Sequence, residues 1–153
     1  MRNERLFFFA LMVLVAVSGL TVCAETGAAK PEAKEISVKL AIQVGDKIFT
    51  AVLYDTETTA AFLRKLPMTL DMSELHGNEK YFYLSDRLPA DSLHAGSIKS
   101  GDLMLYGSDC IVLFYESCFS SYRYTKLGYI TDVTGLASAL GKGNVTVSFS
   151  VVK

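Results

Sequence analysis

Two histidines, three cysteines and eight tyrosines carry most of the reactive chemistry of this 153-residue chain. His76 falls in the turn-like triplet His76-Gly77-Asn78 and His94 in a polar stretch. Neither has a second ligand at a spacing that suits zinc, so both read as exposed loop histidines and no metal is implied. A Ser-His-Asp triad assembles in space rather than along the chain. The Gly-x-Ser-x-Gly elbow is nonetheless missing. Gly96/Gly101 and Gly141/Gly143 lack the lysine-serine pattern that would make either pair a phosphate loop. No cofactor is implied.

The tyrosines are the unusual feature. Tyr81, Tyr83, Tyr106, Tyr115, Tyr122, Tyr124 and Tyr129 are joined by Phe82, Phe114 and Phe119. One reading is an aromatic groove built from Tyr81, Tyr83, Phe119 and Tyr122, with Arg123 as donor, that holds an extended peptide or a small apolar ligand. The other is strand packing with phenol groups reaching solvent, since aromatics are enriched in strands. Residues 117–126 are polar, aromatic and long for a hairpin connection, which marks them as the expected ligand loop.

Cys110 and Cys118 read as free thiols. A strand from Cys110 to Tyr115 would carry the chain ~17 Å away, and three further residues return at most ~10.5 Å. Bonded cysteines need Cα atoms within ~7 Å.

The elements that must position these groups are mostly strands. Ile36, Val38, Leu40, Ile42 and Val44 alternate with polar residues, the period of a half-buried strand. Gly45-Asp46 turns the chain into a return strand over residues 48–53. Asp55 is placed to cap a helix whose stripe is Thr59, Phe62, Leu63 and Leu66. Pro67 ends it, with Arg64 and Lys65 suited to the negative end of its dipole. Strands are expected at residues 68–72, 81–84, 103–106, 111–115 and 127–130, with residues 86–95 left as loop. Residues 131–140 permit a second short helix, capped by Asp132 and closed by Gly141. Val145, Val147, Phe149 and Val151 alternate as a last strand. Short strands at near-regular spacing suggest a barrel or sandwich.

The beginning of the chain reads as an address. Arg2 and Arg5 precede an apolar run over residues 6–17, and Val22-Cys23-Ala24 offers modest side chains for cleavage. That order is a secretory signal peptide, and the run falls short of the roughly 20 residues of a spanning helix. Leu20-Thr21-Val22-Cys23 also resembles a lipobox, with Cys23 the lipidation candidate and Val22 the departure from its pattern. Residues 25–35 form a polar tether, and residues 36–153 the domain. The location expected is periplasmic or secreted, or lipid-anchored in the envelope, with membrane contact only through the signal peptide or that anchor. Without residues 1–24 the net charge goes from −1 to −2, because Arg2 and Arg5 outnumber Glu4 there. That charge disfavours nucleic-acid binding, which needs a clustered basic surface.

Leu66-Pro67-Met68-Thr69, Leu75-His76-Gly77-Asn78-Glu79-Lys80, Gly96-Ser97-Ile98, Gly101-Asp102-Leu103 and Val112-Leu113-Phe114-Tyr115 follow one another in an order that resembles the bacterial cyclophilin-like proteins. The resemblance covers about residues 36–152. It implies an all-β fold: a closed barrel of about eight strands with two short helices. True cyclophilins isomerise prolyl bonds, using an arginine on an early strand beside a phenylalanine and a histidine. Here that strand reads Met68-Thr69-Leu70-Asp71-Met72, whose only charge is an anion. Fold does not carry function with it. The expectation is therefore a binding module rather than an efficient isomerase. A periplasmic prolyl isomerase and an envelope structural subunit stand as alternatives.

Overall fold

The computed structural model describes residues 34–152. β1 (Glu35–Val44) and β2 (Lys47–Tyr54) form the expected hairpin, with Val44 paired to Lys47. Gly45 takes φ 57° at the first turn position, where a two-residue hairpin needs a positive φ that glycine adopts without penalty. After α1 (Glu57–Leu63) come β3 (Met68–Leu75), β4 (Glu79–Tyr83), β5 (Leu93–Ile98), β6 (Asp102–Tyr106), β7 (Cys110–Phe114) and β8 (Cys118–Ile130). A second helix, α2 (Leu136–Leu140), precedes the last strand, β9 (Val145–Val151).

Pairing runs β2-β1-β9-β3-β4-β7-β6-β8, and β8 returns to β2, so eight strands close into an antiparallel barrel. β5 stays outside the ring and pairs with β8. Closure depends on Gly128, which sits opposite Leu53. A Cβ there would land on the Val52 carbonyl oxygen and lie 2.9 Å from Leu53 Cδ2. Only a residue without a side chain lets β2 and β8 meet. Inward residues such as Leu40, Ile42, Leu53, Leu103, Leu105, Leu113, Val147 and Phe149 fill the interior. Phe62 of α1 is fully buried against them and meets Phe149 edge to face, centroids 6.1 Å apart. Leu66, expected on the same stripe, is half-buried.

Several local expectations are corrected. Thr56, not Asp55, caps α1: its hydroxyl accepts from the Thr59 N–H at 3.1 Å. Asp55 instead pairs with Lys34 at 2.9 Å. α1 ends three residues before the expected Leu66, so Arg64 and Lys65 lie beyond its last turn. α2 begins after Gly135, whose φ of 78° marks its start. Asp132 does not cap it but accepts from the Thr134 N–H, closing a turn before the helix. The largest correction concerns residues 117–126. They are not a loop but most of β8, 13 residues long, and part of the expected loop over residues 86–95 is β5, its partner. Polar and aromatic residues at alternating positions had masked a strand that is half exposed.

Candidate functional site

The site is the outer face of β4, β7, β6 and β8. Alternation along each strand turns Tyr81 and Tyr83, Cys110, Val112 and Phe114, and Met104 and Tyr106 outward. One part of this face is covered. The ribbon of β5 and the first half of β8 folds back over it, so that Ile98 and Cys118 pack with Met104, Val112, Phe114 and Tyr124 in a second apolar cluster outside the barrel.

At the margin of this cluster several rings stay exposed. Tyr83 pairs with Cys110, Cys110 with Tyr106, and Tyr106 with Tyr124, giving one row across four strands. Strands spaced about 4.8 Å apart set Tyr83 and Tyr106 roughly 9–10 Å apart on either side of a small cysteine. Cys110, at the centre of the row, is itself buried, 3% exposed. Tyr81 meets Tyr83 edge to face at 5.9 Å, and Tyr106 meets Tyr122 at 6.0 Å and Tyr124 at 5.4 Å. Tyr83 is 58% exposed, Tyr106 41% and Tyr122 63%. Exposed rings in contact with one another offer apolar faces together with phenol hydrogen-bonding edges. Burial pushes the Cys110 thiol up to about 11, which makes it a packing group rather than a nucleophile.

Of the residues expected to form the groove, Tyr81, Tyr83 and Tyr122 come together on this face. Phe119 and Arg123 do not join them. Cys118 and Tyr124 face the second, outer cluster, so their strand neighbours Phe119 and Arg123 point the other way. Phe119 is 78% exposed, and Arg123 Nη2 donates to the Ser92 carbonyl at 2.6 Å. Tyr106 and Tyr124 belong to the row, but nothing local in the sequence distinguishes them from the other tyrosines. Their place follows from the register of β6 on β7 and β8. His94 lies on β5, not in a loop, with Nδ1 3.1 Å from the Ser121 carbonyl, and His76 sits exposed in the β3–β4 turn. Cys110 and Cys118 are both free thiols.

A polar cluster at the opposite end of β4 escaped the sequence reading. Lys80 is fully buried and bonds Glu74, with the Gly141 and Gly143 carbonyls at 2.8 and 2.6 Å. All three ammonium donors are thus satisfied. The Tyr115 hydroxyl donates to Glu74 at 2.9 Å, and the Gly77 N–H donates to Glu74 Oε1 at 2.8 Å. Burial alone would raise the Glu74 carboxyl, but these bonds outweigh it and hold it below its ordinary value. Burial, then Glu74, push the Tyr115 phenol up to about 12. The group borders a cleft of about 620 Å³, yet its bonds are made within the protein. It staples the segment after α2 to the β3–β4 hairpin.

On β3, Asp71 stands exposed on the outer face, its Oδ1 accepting from the Thr146 hydroxyl at 2.7 Å. A family model described as the cyclophilin-like family matches residues 42–150, nearly the whole barrel. No curated protein matches the sequence.

Proposed function

The chain belongs to the cyclophilin-like family, and we propose that within it this protein works as an exported binding module that holds a peptide or small apolar ligand on its tyrosine face. The observation that carries this reading is the set of exposed rings Tyr83, Tyr106 and Tyr122, which flank the buried Cys110 at the edge of the outer cluster. Tyrosine rings supply rigid contact area at small entropic cost, and each phenol adds a hydrogen-bonding edge. Prolyl isomerisation asks for a donor that withdraws electron density from an amide whose rotation barrier is ~18–20 kcal/mol. Asp71 on β3 is an acceptor and an anion, and Arg123 is turned away toward Ser92. Both features favour binding over turnover. The export component rests on residues 1–24, and lipidation on Cys23, which lie outside the described residues.

Binding and turnover separate in one set of measurements. A protease-coupled assay on a proline-containing peptide is expected to give background rates for the wild type. Titration with short peptides is expected to show binding that weakens at least about tenfold in Tyr106→Ala, the loss typical of a central aromatic anchor. Robust turnover that disappears in Arg123→Ala would instead establish a periplasmic isomerase with a relocated arginine. Intact mass of protein from the envelope tests export: a species lacking residues 1–24, or starting at an acylated Cys23, is expected, and a species retaining Met1 excludes it.

A further inference from the structure

The barrel wall is incomplete between β3 and β4. Their ladder holds Ser73↔Tyr81, Glu74↔Lys80 and Leu75↔Glu79, although β3 reaches back to Met68 and β4 runs on to Tyr83. In the same register Met72 would face Phe82 and Asp71 would face Tyr83, and among the described residues neither pairing is made. Residues 68–72 are bonded along their other edge to β9. The edge turned toward β4 therefore keeps backbone donors and acceptors for an incoming strand. A cleft of about 570 Å³ opens at this place, lined by Met68, Leu70, Phe82, Tyr83 and Leu84 together with Lys65.

The two faces of this wedge differ. Met68, Leu70, Phe82 and Leu84 belong to or pack against the barrel core, so the inward side is apolar. On the outward side stand Asp71 on β3 and the 58% exposed Tyr83 ring on β4. Lys65 is engaged by Asp86 at 2.9 Å. Asp71, on the rim of the cleft, accepts from the Thr146 hydroxyl of β9 at 2.7 Å and has no ion-pair partner among the described residues. A strand entering the wedge would turn apolar side chains inward and set the intervening one between a carboxylate and an aromatic face. Both neighbours select a cation.

We propose that this wedge receives the end of an extended peptide in which one basic residue lies between two apolar ones. The proposal rests on the peptide-binding reading above and adds the sequence class of the peptide. Main-chain bonds to the free edge of β3 would supply affinity, and the Asp71–Tyr83 pair would supply the choice of side chain.

The test uses two blocked peptides, Ala-Val-Lys-Val-Ala and Ala-Val-Glu-Val-Ala, titrated calorimetrically into wild type, Asp71→Lys, Asp71→Asn and Tyr106→Ala. The lysine peptide is expected to bind wild type about tenfold more tightly than the glutamate peptide, from opposite charges beside an aromatic ring. Asp71→Lys should reverse that order and Asp71→Asn should flatten it, with thermal melts like wild type because Asp71 is exposed. Equal binding of both peptides to wild type and Asp71→Lys, still lost in Tyr106→Ala, overturns the wedge proposal and leaves the tyrosine face standing. Absence of binding by either peptide at millimolar concentration overturns both.

Discussion

β4 is five residues long, and its two ends do opposite things. At Lys80 a charge is taken out of water completely and every donor it has is answered by Glu74, Gly141 or Gly143. At Tyr83 an aromatic ring is left 58% exposed, beside a strand edge that ends its pairing early. A polar group whose bonds are all made inside the protein holds structure in place. An exposed ring beside an unpaired strand edge is where the proposed peptide would be received. A cleft borders each end, so concavity alone does not tell a site from a staple. The two ends differ in whether their polar groups find partners within the chain.

The strongest way to break this comparison is to empty the staple. Glu74→Ala leaves Lys80 buried without its carboxylate, and urea melts are expected to show a loss of about 3–5 kcal/mol, as when one partner of a buried ion pair is removed. A loss below about 1 kcal/mol would mean that the cluster is ornamental. Next in size, Tyr115→Phe removes one hydroxyl donor from the same carboxylate and is expected to cost about 1–3 kcal/mol.

The pH dependence sharpens the same end. Glu74 is held below its ordinary pKa, so its contribution is complete above the unfolded carboxylate value of about 4.3 and is lost as pH falls through the folded value. Glu79, next to Lys80, is raised, chiefly by burial. Its contribution is present below the unfolded value and lost as pH rises through the folded one. Comparing urea midpoints at pH 7 and pH 4, Glu74→Gln is expected to flatten the acid loss. Glu79→Gln is expected to raise the midpoint at pH 7 and to have little effect at pH 4. The opposite pattern would reverse the roles assigned to the two carboxyls.

The smallest expected effect lies at the open end. Tyr83→Ala should change stability by no more than about 0.5 kcal/mol, the range for exposed substitutions, while weakening peptide binding. A loss of several kcal/mol in the same melts would mean that the tyrosine row is packing rather than a surface for recognition.

Much of the barrel was legible in the sequence because apolar and polar residues alternate along β1 and β9 and apolar residues recur at every second position of β3, and because Gly45, His76-Gly77-Asn78 and Gly107-Ser108-Asp109 mark turns by local chemistry alone. Pattern and turn residue agree there, and each acts within a few positions. The cyclophilin-like order of motifs was readable for the same reason. What failed were elements whose character depends on distant contacts. β8 looked like a loop because its first half is covered on one side only, by a ribbon partner that itself carries a glycine irregularity at Gly96. Thr56 rather than Asp55 is the cap because α1 starts at Glu57, which puts the Thr56 hydroxyl within reach of the Thr59 N–H.

Composition and alternation were enough to indicate a β-rich domain, barrel or sandwich, with tyrosines in unusual number; the closed barrel and the missing arginine on residues 68–72 came from the resemblance to the cyclophilin-like proteins. Composition and period need no partner in space. Which tyrosines meet, which lysine is buried and where the wall opens were decided by register. Tyr83, Tyr106 and Tyr124 share a row because β4, β7, β6 and β8 align at that level. Arg123 left the site because β8 alternates. A strand shifted by one residue would turn each of these side chains to its opposite face, and that choice is made by the packing of the closed barrel.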